Sequence, residues 1–168
     1  IEISKINAKG GWNGRRLKCS TCDTQSSNAA KWKACAADLI GRGAVIGMVT
    51  CDVEFAAPAT QEFLNKGMLT VAPCIGTDQM GPKRFGAKGK LAFSFGNVAQ
   101  DEGAAMAEWA YKQKGWRSAD LATNNLLIYF KQIVAAFKSR FTQLGGKING
   151  EESYTSFQND FGNAVSRL

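Results

Sequence analysis

Histidine is absent from this chain. Its absence removes the Ser-His-Asp and Cys-His arrangements of nucleophilic catalysis, and every metal site with an imidazole ligand. No apolar run approaches the roughly 18–20 residues of a membrane span. No GxGxxG fingerprint and no P-loop lysine motif is present. The chain does not open on Met, and it is expected to be processed, trimmed or a piece of something longer.

What is there is ordinary globular material. The 168 residues are 45% hydrophobic and 21% charged, enough for one domain with a real core and unlike a disordered chain. Formal net charge is +7, which invites a nucleic-acid reading. The basic residues are scattered, however, in pairs such as Arg15-Arg16, Lys83-Arg84, Lys88-Lys90 and Lys138-Arg140. No helix carries a continuous basic stripe and no aromatic ladder is interleaved. They read as a solvated basic surface, with no nucleic-acid partner.

Five cysteines stand at 19, 22, 35, 51 and 74. Cys19-Ser20-Thr21-Cys22 has redox spacing, but redox pairs sit at a helix N-terminus. Here Leu17, Cys19 and Thr21 alternate with Lys18, Ser20 and Cys22, a strand-like pattern. Residues three apart on a strand point to opposite faces, so neither one metal nor one bridge uses both easily. The odd count leaves at least one thiol unpaired within the chain.

Along the chain, strands alternate with helices. Residues 16–22 read as a modest strand. A helix is predicted over 28–41, with Trp32, Cys35, Ala36, Leu39 and Ile40 on one face, Asn28 as N-cap, and Gly41 or Gly43 as the stop. Ala44–Val49 suits a strand buried on both sides. A helix over 56–66 tolerates Pro58 in its first turn. Met68–Ala72 is the next strand, followed by a Gly- and Pro-bearing loop over 74–90. Leu91–Phe95 is a strand with Leu91, Phe93 and Phe95 on one face. A helix over 100–114 is expected to bury Met106, Trp109 and Ala110. A weak strand covers 119–123. A strong helix over 129–144 turns Ile133, Val134, Phe137, Phe141 and Leu144 inward. A strand over 147–151 and a helix starting at Asp160 and running to Leu168 complete the pattern.

This alternation implies βαβ units, an α/β fold, and a parallel sheet covered by helices. Right-handed crossovers place the C-terminal strand ends on one rim, where such sheets bind ligands. Thr50-Cys51-Asp52 and Cys74-Ile75-Gly76-Thr77 both fall on that rim. A plainer reading has Thr50 or Asp52 capping the following helix, Cys51 and Cys74 as small core residues or a bridge, and Tyr129 as ordinary core or surface. Strands that end at Cys51 and Cys74 should be neighbours about 4.8 Å apart. That is within the ~7 Å a disulfide needs, so this pair is a candidate bridge.

The segments Gly10-Gly11-Trp12-Asn13-Gly14-Arg15, Asp23-Thr24-Gln25-Ser26 and Asn28-Ala29-Ala30-Lys31 resemble the "GGxNGR…DxxSxPxxA" opening of type I periplasmic solute-binding proteins. The class is the leucine/isoleucine/valine-binding type, with its amide- and urea-binding relatives. Val45 to Thr50, Pro73, Gln100 to Gly103, Leu144-Gly145-Gly146, Glu151 to Tyr154, Asp160-Phe161 and Leu168 continue the similarity over the whole chain.

The resemblance implies binding rather than catalysis, with no cofactor. A small polar solute such as an amino acid or amide would lie between two lobes that close by a hinge. It implies a periplasmic or otherwise extracytoplasmic monomer that hands its solute to an ABC-transporter membrane permease. Residues 1–115 would be most of lobe 1, lacking its first strand, and 116–168 the start of lobe 2. The implied ligand-binding residues are Thr50, Cys51, Asp52, Cys74, Gly76, Thr77 and Tyr129. Cys51 stands where relatives have Ser, and Asp52 where they have Gly or Ser. Asp52 would repel a ligand carboxylate or pair with an amine. Phe130 and Gln132 replace glycines beside Tyr129. The family's own bridge makes Cys22–Cys51 the alternative pairing.

Two other functions compete. The same fold serves as the ligand-binding sensor domain of signalling receptors and regulators. A flavodoxin-like enzyme is the third reading, but Gly81-Pro82-Lys83-Arg84 and Gly86-Ala87-Lys88-Gly89-Lys90 precede a strand, whereas a phosphate cradle opens a helix. Family members are about twice this length, so residues 1–168 alone are not expected to bind solute usefully. Alone they would also expose Val45, Val49, Leu69 and Phe95.

Overall fold

The structure, a computed structural model, describes residues 2–25, 28–155 and 160–167. Ser26 and Leu168, both part of the motif pattern above, lie outside the described residues.

The short helix α1 (Glu2–Ala8) buries nothing. The Gly-rich motif after it is a tight turn. Gly10, Gly11, Asn13 and Gly14 all have positive φ, the region glycine enters freely and Asn tolerates. Trp12 and Arg15 exchange backbone hydrogen bonds of 2.8 and 3.0 Å across the turn. A Cβ on Gly11 would lie 2.1 Å from the Arg15 carbonyl oxygen.

Residues 16–22 belong to no strand or helix. Alternation specifies an extended backbone, while a strand also needs a partner ladder, and no described strand pairs with this one. Its ties lie near its two ends, where the Thr21 carbonyl also accepts a hydrogen bond from the Arg42 guanidinium at 3.3 Å. The Asn7 side-chain amide pairs with both backbone groups of Leu17, at 2.7 and 2.8 Å. A disulfide joins Cys22 to Cys35.

Helix α2 (Ala29–Gly41) begins as its sequence directs, with the Asn28 side chain accepting the Lys31 N–H at 3.0 Å. It buries Trp32, Cys35 and Ala36. Three short parallel strands follow in sheet order: β1 (Ile46–Met48), β2 (Leu69–Ala72) and β3 (Ala92–Ser94). Helix α3 (Val53–Asn65) connects β1 to β2. It starts three residues earlier than the sequence pattern suggests, because the Asp52 carbonyl already accepts the Phe55 and Ala56 N–H groups. The stretch read as a loop over 74–90 contains α4 (Pro82–Phe85) and a 3-10 stretch over Gly86–Leu91.

Phe63 of α3 packs on the sheet at Gly47, where a Cβ would meet its ring at 2.5 Å. Val49, Val53, Ala56, Ala59, Met68, Ala72 and Ile75 complete this core. Val49 is therefore buried rather than exposed. The opposite face of the same sheet is open: Ile46 is 56% exposed, Met48 72% and Phe93 50%. Leu91, Phe93 and Phe95 are all exposed.

Helix α5 (Ala99–Glu108) runs on through a π-helical turn at Trp109–Gln113. Its buried side is small: Ala99, Gly103, Ala107 and Ala110. Met106 and Trp109, expected inside, are half exposed. The reason is the close approach of α6 (Ile128–Gln143). A Cβ on Gly103 would lie 2.2 Å from the Ile133 carbonyl oxygen, so the small stripe admits the partner backbone and the bulky residues turn away. On α6 only Phe141 is fully buried, while Ile133, Val134 and Phe137 are partly covered. A second parallel pair, β4 (Ser118–Asn124) and β5 (Lys147–Tyr154), packs with these helices around Ala107, Ala110 and Phe141. Helix α7 (Gly162–Val165) is one turn. The chain is thus α/β with parallel sheets, in the strand–helix alternation the sequence implies.

Candidate functional site

The ends of β1 and β2 meet on one rim because the strands are parallel neighbours, with Met48 opposite Val71. Just beyond, Cys51 and Cys74 are joined by a disulfide with Cα atoms 4.7 Å apart. Cys22 pairs with Cys35, so the Cys22–Cys51 alternative is overturned. Helix α2 delivers Cys35 to the extended segment, a local closure that the family pattern does not suggest. Cys19 is free and exposed.

Asp52 occupies the N-cap position of α3, but its side chain makes no capping hydrogen bond. Its carboxyl is held above the ordinary range, first by burial and then by the charge of Glu54. After β2 the chain turns through Ile75, which is 1% exposed and whose carbonyl accepts the Ser94 hydroxyl at 2.6 Å. The Gly76 carbonyl accepts the Ala99 N–H at 2.7 Å and so anchors the start of α5. Gly76 must lack a side chain, since a Cβ would lie 2.8 Å from the Asn97 carbonyl oxygen and 3.0 Å from the Tyr129 ring. Thr77 is buried, and its hydroxyl accepts the Gln79 N–H at 3.3 Å.

The start of α6 is fastened over this rim by three acids. The Tyr129 hydroxyl donates to Glu102 of α5 at 2.5 Å. The Ile128 N–H donates to Glu54 of α3 at 2.9 Å. The Gln132 amide donates to Asp78 at 2.8 Å. The Glu102 bond raises the Tyr129 phenol above its usual range. Asp78 is held down to about 2, chiefly by Lys83 and then by Gln132 and Gln79.

Between these elements lies a cleft of about 200 Å³. Cys51, Asp52, Cys74, Gly76, Thr77 and Tyr129 all line it, and Thr50 does not. Val53, Glu54, Leu127 and Phe130 complete the wall. Sequence reasoning missed Glu54 because the helix start was placed at 56, two residues beyond it. Phe130 carried a signal, standing where relatives have glycine. Leu127 carried none. The arrangement offers two carboxylates, a buried hydroxyl and two aromatic rings around a partly open cleft, which suits holding a small molecule. Among the described residues no group of three or more His, Cys, Asp or Glu is placed to hold a metal ion. No helix among them is long and apolar enough to cross a membrane.

Solved structures share this fold. The isoleucine complex of the branched-chain amino acid transporter substrate-binding protein LivJ from Streptococcus pneumoniae superposes with a TM-score of 0.83 at 18% identity, covering 99% of this chain and 45% of that one. The leucine-binding protein LivK from Thermotoga maritima gives 0.79 at 20% identity, covering 98% and 45%. A solute-binding protein of an ABC transporter from R. palustris, in complex with benzoate, gives 0.74 at 19%, covering 99% and 45%. The chain thus spans less than half the length of these structures. No curated protein sequence matches it. The sequence profile described as periplasmic binding protein matches residues 2–168, and the chain belongs to that family, with the type I fold.

Proposed function

We propose that this chain is part of an extracytoplasmic solute-binding protein that delivers a small polar solute, an amino acid, amide or similar, to the membrane permease of an ABC importer. Residues 1–115 serve as most of lobe 1 and residues 116–168 as the start of lobe 2. The protein works as a monomer without a cofactor and binds rather than transforms its solute. Cys51, Asp52, Cys74, Gly76, Thr77 and Tyr129 form this chain's share of the binding site, and Thr50, which stays outside the cleft, is left out of it.

One observation carries the reading. Two adjacent strand ends, joined by the Cys51–Cys74 disulfide, form the floor of a cleft whose cover is the start of α6, with Tyr129 against Gly76. Floor and cover come from different parts of the fold, as a closing two-lobed binder requires.

The test is a thermal-shift screen of the full-length protein against amino acids, amides, urea and aromatic acids. A ligand that binds the native state raises its stability by mass action, by about 2.7 kcal/mol at 100 times Kd. A concentration-dependent rise in Tm with at least one class is expected. A flat response to every class would remove the proposal.

A further inference from the structure

Resting on that reading, we infer that the cleft selects an organic cation, a primary ammonium, amidinium or guanidinium on an apolar body, with the charge at Asp52 and Glu54 and the body against Tyr129 and Phe130.

Charge distribution makes the first argument. The chain has 21 Lys and Arg against 14 Asp and Glu, yet among the described residues the cleft wall holds two carboxylates, Asp52 and Glu54, and no Lys or Arg. A basic protein has placed a purely acidic wall at its binding rim. An anionic solute would meet two carboxylates there and, among the described residues of the wall, no Lys or Arg to offset them.

The state of the two carboxylates makes the second. Glu54 is fixed in place by the Ile128 N–H on Oε1. Asp52 is half-buried and has neither a capping bond nor an ion pair among the described residues. A partly desolvated carboxylate beside a like charge is unfavourable until an opposite charge arrives. A bound cation relieves both residues at once, and binding draws on that relief.

The third argument concerns donors. Recognition of a carboxylate solute needs N–H or O–H groups aimed at it. Cys51 and Cys74 are joined, and a disulfide has no hydrogen to donate. The Tyr129 hydroxyl already donates to Glu102. The N-terminal end of α3, the natural anion site, already carries its own acids, Asp52 at the N-cap and Glu54 in the first turn. The Thr77 hydroxyl, which accepts the Gln79 N–H, is the one side-chain donor left in the wall. The apolar part of the wall, with Val53 and Leu127, includes Tyr129 and Phe130, rings 5.4 Å apart at 70°. Such a corner accepts a flat or aliphatic apolar body, and an aromatic face attracts a cation.

The experiment uses matched probes that differ in charge but little in shape, titrated calorimetrically into the full-length protein. Benzamidinium, benzamide and benzoate form one set. Leucinamide, leucine and N-acetylleucine form the other. In whichever set binds, the cation is expected at least ten-fold tighter than the neutral or zwitterionic probe, with the anion weakest. Asp52→Asn is expected to cost the cation ten-fold or more and to leave the uncharged benzamide within two-fold. Circular dichroism of that variant checks that the fold is kept. Equal or tighter binding of the anion, or an Asp52→Asn loss shared by all probes, overturns the cation inference and leaves solute binding standing. Silence from both sets also overturns it, and the broader solute screen then decides separately whether solute binding survives.

Discussion

The two faces of the β1–β2–β3 sheet are built from alternate residues of the same three strands, yet they meet different surroundings. One face turns Gly47, Thr70, Ala72 and Ala92 toward α3, and all four are buried. The other presents Ile46, Met48, Leu69 and Phe93, all exposed. The open face carries the bulkier and more apolar residues. An apolar face of this kind is what a parallel sheet covered by helices on both sides requires. The covered face uses small residues because a bulky helix residue, Phe63, fills the space from above. Hydrophobicity of a strand therefore reports what it is suited to pack against, and side-chain size reports how closely the partner approaches.

Removing the filler should break the covered face most severely. Phe63→Ala is expected to cost about 3–5 kcal/mol. Phe93→Ala, on the open face of the 168-residue chain, should cost less than about 0.5 kcal/mol. Urea unfolding of the two variants of that chain checks the contrast. Equal losses would mean that the second face is packed in solution.

The Cys51–Cys74 bridge crosses the rim that both faces share, closing a loop with a sequence separation of 23. Loop closure of that length is worth roughly 3 kcal/mol. Replacing both cysteines with Ser should lower stability by about that amount in the full-length protein, as measured by thermal melts with and without a dithiol. The wild-type protein should be sensitive to the dithiol, and the double variant should lose only the share due to Cys22–Cys35.

Neighbouring residues sharpen the comparison further. Gly47→Ala drives a methyl into Phe63 and should cost about 1–3 kcal/mol. Met48→Lys, one residue on but facing outward, should stay within about 0.5 kcal/mol in the 168-residue chain. Denaturant midpoints of the pair test whether register alone decides the outcome.

The smallest effect belongs to pH. Asp78 has its pKa lowered to about 2 from an ordinary 3.8 by Lys83, Gln132 and Gln79. A depressed carboxyl stabilises the folded state above its unfolded pKa and loses that stability as pH falls through the folded one. Stability should therefore decline between about pH 4 and pH 2. Lys83→Met should flatten part of that decline, with the change read from Tm against pH. Lys83 is largely exposed and Asp78 about one-third exposed, so the change is modest.

Much of this was legible in the sequence because it is local. Asn28 announces the start of α2, the glycines at 10, 11 and 14 announce a turn, and strand–helix alternation announces a parallel sheet. The rim was legible too, since two strand ends carrying cysteines and small polar residues must meet if the strands are neighbours. What failed was non-local. Residues 16–22 alternate like a strand, but alternation says nothing about whether a partner ladder exists. Met106 and Trp109 looked like core because they are large, whereas Gly103 and Ala107 set the contact by being small. Glu54 was hidden by a helix start placed too late, and Leu127 by having no chemistry that marks it.

One feature of the N-terminal segment bears on how a chain can be held without a sheet. The Asn7 amide offers Leu17 the same donor and acceptor that a neighbouring strand would, but for a single residue. Five residues on, Cys22 is fastened covalently to Cys35. The segment is suspended between two pins, which fix its ends and leave the amides between them without a ladder. Hydrogen exchange should read this directly, with Leu17 slow and Lys18 to Thr21 fast. A strand lost in this way keeps its path through space while giving up its cooperativity.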